Sequence, residues 1–402
     1  MTPRAGGRLA ASARHLYVHL PFCAHRCGYC DFVTVVGRRE EHVGYAAAVL
    51  AELALERPLL QDPLETVFVG GGTPTFTEQG ALLRVLEGLP DAAEVTVEAN
   101  PETVTPELAL RLRQAGVTRI SLGAQSFQPH LLGVLERRAG PADVRRAVHT
   151  LRDASFDNIS LDLLYGIPGQ EPADLERDLA EALALAPEHL SCYELEAKPG
   201  TRFSYAWGGE LERQAEAMEG YLELVVERLS DAGYRWYETA NFCLAKGCGA
   251  ERDLRAQHNL GIWRGHDYLG LGVGGVSTIG AVRRRNLPSL ERYRSALVAG
   301  REPPRELEPL DDATRACERL MLGLRLDEPL PLEGLEDRVD GDALERLAAR
   351  GLVEARTLPG GKRAIALTTR GRFLGGGITA ELVIWPRLAE CGVEQAAASF
   401  GG

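Results

Sequence analysis

Short apolar stretches recur along the first two thirds of the chain, separated by charged, amphipathic ones. The apolar stretches are Tyr17–Phe22, Thr66–Val69, Glu94–Glu98, Arg119–Leu122, Asn158–Leu164, His189–Leu195 and Arg235–Glu238. Their length and spacing predict strands. Between them, segments such as Glu107–Gly116, Pro141–Ala154 and Glu171–Ala186 read as helices. Strands alternating with helices predict βαβ units and a parallel sheet, so the fold class is α/β. About six such units suggest a barrel or a partial barrel.

The unusual residues follow the strands. Gly70-Gly71-Gly72-Thr73-Pro74 comes after Thr66–Val69, and Glu98-Ala99-Asn100-Pro101 closes Glu94–Glu98. Gly123-Ala124-Gln125-Ser126-Phe127 comes after Arg119–Leu122, and Asp162 lies in the run that ends at Tyr165-Gly166-Ile167-Pro168-Gly169. Parallel α/β barrels gather their sites at the C-terminal strand ends. The pattern therefore predicts one site assembled from several strands.

After Asn286 the pattern changes. Pro303, Pro304 and Pro309 read as a linker. Asp312–Leu326 and Gly341–Arg350 then read as helices, and Leu352–Arg356 with Arg363–Leu367 as a hairpin turning at Pro359-Gly360-Gly361. Thr369–Leu382 reads as a closing helix. Helices followed by a hairpin predict a small α+β, winged-helix-like domain. The expected organisation is a tail over 1–15, a barrel with an extension over 16–300, the small domain over 305–390 and a tail over 391–402.

Composition narrows the partners. The chain has 402 residues, 45% hydrophobic and 25% charged, as an ordinary globular protein with a large core does. Its net charge of −12 argues against nucleic acid as the main partner, because phosphate binding needs clustered Lys and Arg. Arg283-Arg284-Arg285 is the one strong basic cluster, and a solvated loop explains it. No segment reads as a signal peptide or a membrane span. Peripheral membrane contact stays open. Eight cysteines, three of them in one loop, fit a reducing cytoplasm better than a disulfide framework.

That loop, Cys23-Ala24-His25-Arg26-Cys27-Gly28-Tyr29-Cys30, carries the clearest chemistry. A cubane iron–sulfur cluster normally takes four thiolates, so three leave one iron open to another ligand. Structural zinc needs four closed ligands. Three unrelated core thiols are the remaining alternative, but Gly, His and Arg between them make poor core. Cys-x3-Cys-x2-Cys with an aromatic before the last Cys resembles the signature of the radical S-adenosylmethionine (SAM) proteins. The lead-in Tyr17-Val18-His19-Leu20-Pro21-Phe22 is similar to the branch that holds oxygen-independent coproporphyrinogen III oxidases and HemW-like heme chaperones. The resemblance implies a [4Fe–4S] cluster on Cys23, Cys27 and Cys30, with SAM on the open iron.

Other positions acquire roles by the same resemblance, each against a plainer reading. Gly71, Gly72 and Thr73 would line the SAM site, or form only a tight turn. Glu98 would lie near SAM, or cap a turn at the surface. Gln125, Arg137 and Asp162 match positions that bind SAM in the oxidase branch, where two SAM molecules are held. Arg137 reads as helical, where a surface salt bridge competes. Asp162 in an apolar run needs a site or a partner. Tyr17 and Tyr29 would flank nucleoside groups, or simply pack.

His258-Asn259-Leu260-Gly261-Ile262-Trp263 resembles the His-Asn-x-x-Tyr-Trp motif of the heme chaperones, with Ile262 in place of Tyr. The resemblance makes His258 the heme candidate; a structural histidine is the alternative. Val276 stands where the chaperones carry a His. The oxidases carry a further Cys two residues past the triad, where this chain has Phe32. The implied function is a heme chaperone that passes heme to respiratory acceptor proteins. A two-SAM methyltransferase or cyclopropanase is the alternative, and coproporphyrinogen decarboxylation the least supported. Among the other thiols, Cys192 reads as core, and Cys243 and Cys248 as loop residues able to touch a ligand; Cys317 and Cys391 receive no role.

Overall fold

The computed structural model describes residues 13–196, 198–214, 217–245 and 252–385. The chain divides into two compact units, the first running to Pro309 and the second starting at Leu310. In chain order the first unit contains β1 (His15–Leu20), the short β2 (Phe22–Cys23) and β3 (Val35–Val36), α1 (Arg39–Glu56), β4 (Leu64–Gly71), α2 (Gln79–Gly88), β5 (Ala92–Ala99), α3 (Pro106–Gln114) and β6 (Arg119–Gln125). There follow α4 (Pro129–Val134), α5 (Pro141–Asp153), β7 (Ile159–Tyr165), α6 (Pro172–Ala184), β8 (His189–Glu194), α7 (Arg202–Gln214), α8 (Met218–Asp231), β9 (Tyr234–Glu238) and β10 (Asn241–Leu244). The unit closes with α9 (Gln257–Trp263), β11 (Tyr268–Leu271), β12 (Val276–Ile279), β13 (Val282–Asn286), α10 (Leu290–Val298) and β14 (Arg305–Pro309).

Twelve strands form one sheet in the order β14-β13-β12-β11-β1-β4-β5-β6-β7-β8-β10-β9. The run from β11 through β1 and β4 to β8 is parallel. Antiparallel strands extend both sides, and the two outermost strands do not pair, so the barrel is partial.

The central strands alternate rather than being apolar throughout. Leu16, Val18 and Leu20 of β1, Val67 and Val69 of β4, and Ile120 and Leu122 of β6 are fully buried. The positions between them are His15, Tyr17 and His19, Thr66, Phe68 and Gly70, and Arg119, Ser121 and Gly123. On β7 the same alternation sets Ile159, Leu161 and Leu163 against Ser160 and Asp162. A period of two sends these sets to opposite faces. Contacts across strands identify the polar face: Ser121 reaches Asp162, Ser160 reaches His189, and Thr66 reaches His258. The concave face of the sheet is thus a column of polar groups. Asp162 is one rung of it and not an isolated carboxylate in an apolar strand.

Three expectations need correction. Arg283-Arg284-Arg285 is not a loop but β13, because its neighbours supply the opposite charges: Arg283 pairs with Glu308 of β14, and Arg284 with the buried Glu56 of α1. Arg305–Pro309 is that edge strand rather than a linker. Arg305 reaches Glu52 at 3.0 Å and Glu56 at 2.6 Å, two carboxylates of α1 that would be costly to bury unpaired. Arg137 lies beyond the end of α4. Glu136 takes a left-handed conformation (φ 56°), and Arg137 N–H donates back to Leu132 O at 2.9 Å, a helix stop of Schellman type.

The second unit holds α11 (Asp312–Gly323), β15 (Leu330–Pro331), α12 (Gly341–Ala349), β16 (Val353–Thr357), β17 (Arg363–Leu367), α13 (Thr369–Phe373) and α14 (Gly375–Leu382). Its sheet order is β15-β17-β16, over a core that includes Cys317, Leu320, Leu347 and Ile365. The single closing helix expected over Thr369–Leu382 is two helices that break at Leu374, where Gly375-Gly376-Gly377 weakens helix continuity. Cys248, Cys391 and the tails at 1–12 and 391–402 lie outside the described residues.

Candidate functional site

The cysteine loop is fastened from several sides. Val35 N–H donates to Pro21 O at 2.8 Å and Gly37 N–H to Cys23 O at 2.9 Å, which pairs β2 with β3 around the loop. Phe203 N–H donates to Gly28 O at 3.1 Å, so the start of α7 holds the loop's middle. His19 Nε2 donates to Val33 O at 2.8 Å, which fixes the tautomer. Its Nδ1 then accepts from the Tyr17 hydroxyl at 3.0 Å. Burial pushes His19 down to about 4, so it works as a neutral spacer between β1 and the loop.

Cys23 is buried, and Cys27 and Cys30 are half-buried. Burial, reinforced by the neighbouring thiols, pushes Cys23 up to about 11 and raises Cys30 as well. Two donors oppose this. Thr73 Oγ1 donates to Cys23 Sγ at 3.6 Å, and Arg137 Nη1 lies 3.8 Å from Cys27 Sγ. One amide joins the donors: Asn100 Nδ2 donates to Thr73 Oγ1 at 3.1 Å, and Asn100 Oδ1 accepts from Arg137 Nη2 at 3.0 Å. Arg137 Nη2 also donates to Gly123 O at 2.8 Å. Arg137 is therefore an interior cation facing the thiols, not half of a surface salt bridge.

The glycine run lets strand β4 approach the loop. A Cβ on Gly72 would lie 2.5 Å from Pro21 O and 2.9 Å from Cys23 Sγ. Gly71 has φ 118°, which side chains rarely adopt, and its N–H donates to Glu98 Oε2 at 3.0 Å. Burial and the nearby Asp162 raise Glu98 to about 7. Burial likewise raises Asp162, against hydrogen bonds from Ser191, Ser121 and Ser160. Gln125 sits at a bulge in the β6–β7 pairing with φ 65°, its amide turned towards Gly123.

Gly71, Gly72, Thr73, Glu98, Gln125, Arg137 and Asp162 thus share the C-terminal end of β4–β7 with the three thiols. Tyr17 lies deeper, its ring parallel to Phe68 at 6.1 Å. Tyr29 packs edge-on against Phe203. Asn100 and His19 carry the links between these groups, yet had no role assigned to them. Asn100 had one visible signal, its place two residues beyond Glu98 on the same face of the chain.

His258 is elsewhere. It lies in the first turn of α9, 2% exposed, with Nδ1 2.8 Å from Thr66 Oγ1 at the start of β4. Its Nε2 is buried without a hydrogen-bond partner among the described residues. Cys243 is 4% exposed and belongs to β10, so it does not line a loop. Cys192 is buried in β8, as a core thiol.

The donor set fits a [4Fe–4S] cluster with one open iron: three thiols on one loop, an arginine and a hydroxyl aimed at two of them, and a backbone stripped of Cβ beside Cys23. Residues 17–182 match the Radical SAM superfamily. The chain is 35% identical over 380 residues to the heme chaperone HemW of Mycobacterium tuberculosis strain H37Rv, spanning 92% of this chain and 94% of that one. It is 32% identical over 376 residues to HemW of Bacillus subtilis, spanning 89% and 96%. It belongs to the HemW family. The solved structure of the E. coli coproporphyrinogen III oxidase HemN, a radical SAM enzyme, superposes with a TM-score of 0.75 at 22% identity, over 92% of this chain and 90% of that one. That likeness shares the fold. This chain carries the three-cysteine motif on a radical SAM partial barrel. No helix among the described residues is long and apolar enough to cross a membrane.

Proposed function

We propose that this chain is a heme chaperone: it holds a [4Fe–4S] cluster on Cys23, Cys27 and Cys30 and SAM against Gly71, Gly72, Thr73, Glu98, Gln125, Arg137 and Asp162, binds heme, and hands it to a respiratory acceptor in the cytoplasm or at the membrane surface. The bound cluster supplies the electron and the open iron that radical SAM chemistry requires. The chain's own residues place donors at two thiols, keep a neutral imidazole under the loop and would offer the Glu98 and Asp162 carboxyl groups to SAM.

One observation favours this reading over porphyrinogen decarboxylation. Two residues past Cys30 stands Phe32, 55% exposed, where the oxidases carry a further Cys. His258 Nε2 is the proposed iron ligand: it stands in the His-Asn-x-x-Tyr-Trp-like motif and is buried without a hydrogen-bond partner among the described residues. The test is anaerobic reconstitution followed by heme titration of wild type and His258→Ala, then transfer to apo-cytochrome. Heme binding lost in the variant supports the assignment. Unchanged binding removes His258, and release of carbon dioxide from coproporphyrinogen III replaces the chaperone reading.

A further inference from the structure

Helix α6 packs an acid among its apolar residues. Its buried positions include Leu175, Asp178, Leu179 and Ala182, and Asp178 is fully buried. A carboxylate so placed is costly unless hydrogen bonds hold it. Three neutral donors do. Ser126 Oγ donates to Asp178 Oδ2 at 2.7 Å, Phe127 N–H to Oδ1 at 2.7 Å and Gln128 Nε2 to Oδ1 at 3.0 Å. The donors come from three consecutive residues, and both carboxylate oxygens are used.

That segment follows Gln125 directly. Ser126 N–H donates to Ala124 O at 2.9 Å, which closes a γ-turn centred on Gln125. Gln125 has φ 65°, so the turn is the rare form that strains any residue with a side chain. A strained turn persists only where its surroundings over-determine it. Here Asp178 ties the three residues after it, and Gln128 N–H donates to Ser126 Oγ at 3.0 Å. The turn folds the Gln125 amide back over Gly123. A Cβ on Gly123 would lie 2.8 Å from Gln125 Nε2, and 3.5 Å from both Arg137 Nη2 and Asn100 Oδ1. The amide thus converges with the two groups that reach Cys27 and Thr73.

Capping of α4 does not account for the bonds to Asp178. That helix starts at Pro129 with Gln128 as its N-cap, and no cap side chain bonds to it. A capping oxygen accepts from the second or third helical amide. Asp178 instead accepts from groups ahead of the helix, between the bulge in β6 and the first turn of α4.

We propose that Asp178 is a positioning residue for SAM. By clamping Ser126, Phe127 and Gln128 it holds Gln125 in the strained turn that presents its amide over Gly123. The carboxylate acts on the backbone that carries Gln125 and not on the ligand. Its charge matters because both oxygens must accept: Asp178→Asn keeps the shape but sets an NH2 group against one of the donors. The clamp then opens on that side and the turn relaxes, which carries the amide away. The proposal rests on the reading that Gln125 belongs to the SAM site.

The test is calorimetric titration of the cluster-loaded protein with SAM, the affinity being taken per bound cluster. Asp178→Asn should weaken SAM about tenfold, with iron content at the wild-type level. Gln125→Ala should weaken it to a similar degree, and the double variant no further, because both changes remove the same amide from the cradle. A purely structural Asp178 would lower the urea midpoint of Asp178→Asn and leave its SAM affinity unchanged, which overturns the proposal. Additive losses in the double variant overturn it too. Loss in Gln125→Ala with none in Asp178→Asn overturns the clamp and leaves Gln125 in the SAM site. Unchanged affinity in Gln125→Ala removes Gln125 from the SAM site and the proposal with it. Ser126→Ala takes away one arm and keeps the carboxylate, and should weaken SAM about threefold. It carries the test if Asp178→Asn does not fold, and unchanged affinity there overturns the clamp.

Discussion

The two ends of the barrel are built on the same strands and do opposite things with charge. On β1 the inward positions run from His15 to His19, on β4 from Thr66 to Gly70, on β5 from Glu94 to Glu98, and on β6 from Arg119 to Gly123. At the N-terminal end the side chains are large and close on one another. Glu94 Oε1 takes the backbone N–H groups of Gln257 and His258 at the start of α9, where a carboxylate suits the helix N-terminus. At the C-terminal end glycines replace side chains, and the remaining polar groups point at a loop of thiols. Burial raises both Glu98 and Asp162 there, and the nearby Asp162 raises Glu98 further. The difference teaches that one end closes on its own side chains, while the other keeps polar groups and open backbone turned towards the thiol loop.

The comparison breaks most easily at the thiols. Cys27→Ala should reduce bound iron and sulfide to about a tenth or less of wild type, because three thiolates hold the cluster. Its far-UV circular dichroism and the histidine resonances at the other end should not change. Iron retained at the wild-type level would remove Cys27 from the site.

Next come the two glycines that admit close contact. Gly72→Ala should destabilise by about 1–3 kcal/mol through overpacking against backbone and lower the cluster content severalfold. Gly261→Ala should displace His15, whose ring a Cβ there would strike, and leave iron content at the wild-type level. Urea unfolding and iron assay on both variants check this, and equal losses of iron would erase the distinction between the ends.

Glu98 gives a pH signature. Its folded value is about 7 against 4.5 unfolded, so between these the native state holds a proton that the unfolded chain has lost. The stability it contributes is present below about pH 4.5 and is lost as pH rises through 7. Glu98→Gln still accepts the Gly71 N–H and should be more stable than wild type above pH 7 by about 1–3 kcal/mol, one pKa unit being worth about 1.4 before solvent screening. Urea midpoints at acid and neutral pH measure it, and a constant difference across pH refutes it.

The smallest effect belongs to Asn100. Asn100→Ala removes the amide that joins Arg137 to Thr73, worth about 1–2 kcal/mol. SAM binding by calorimetry should weaken about tenfold, with iron content near wild type. Unchanged SAM affinity would make Asn100 purely structural.

Legibility followed range along the chain. The triad was readable because its three thiols lie on one loop, and Gly71–Thr73, Glu98 and Asp162 because each ends or interrupts a strand. Arg137 was readable as a candidate but misplaced, since the left-handed turn at Glu136 that ends α4 left no strong signal. β11–β14 were missed because short charged strands such as Arg283–Arg285 owe their pairing to Glu306 and Glu308, and Arg305 to carboxylates on α1. His258 was visible in its motif, yet nothing local says that it sits at the end of the barrel away from the thiols.

By itself the sequence determined the cluster loop, the order of the central parallel strands and their helices and the residues at those strand ends, because spacing within a few positions controls all three. Only the tertiary structure decided which polar groups share a hydrogen bond. His15 and His266 are 251 positions apart and His258 and Thr66 are 192, so the hydrogen bonds that join them exist only once the sheet has curled and α9 has covered its end.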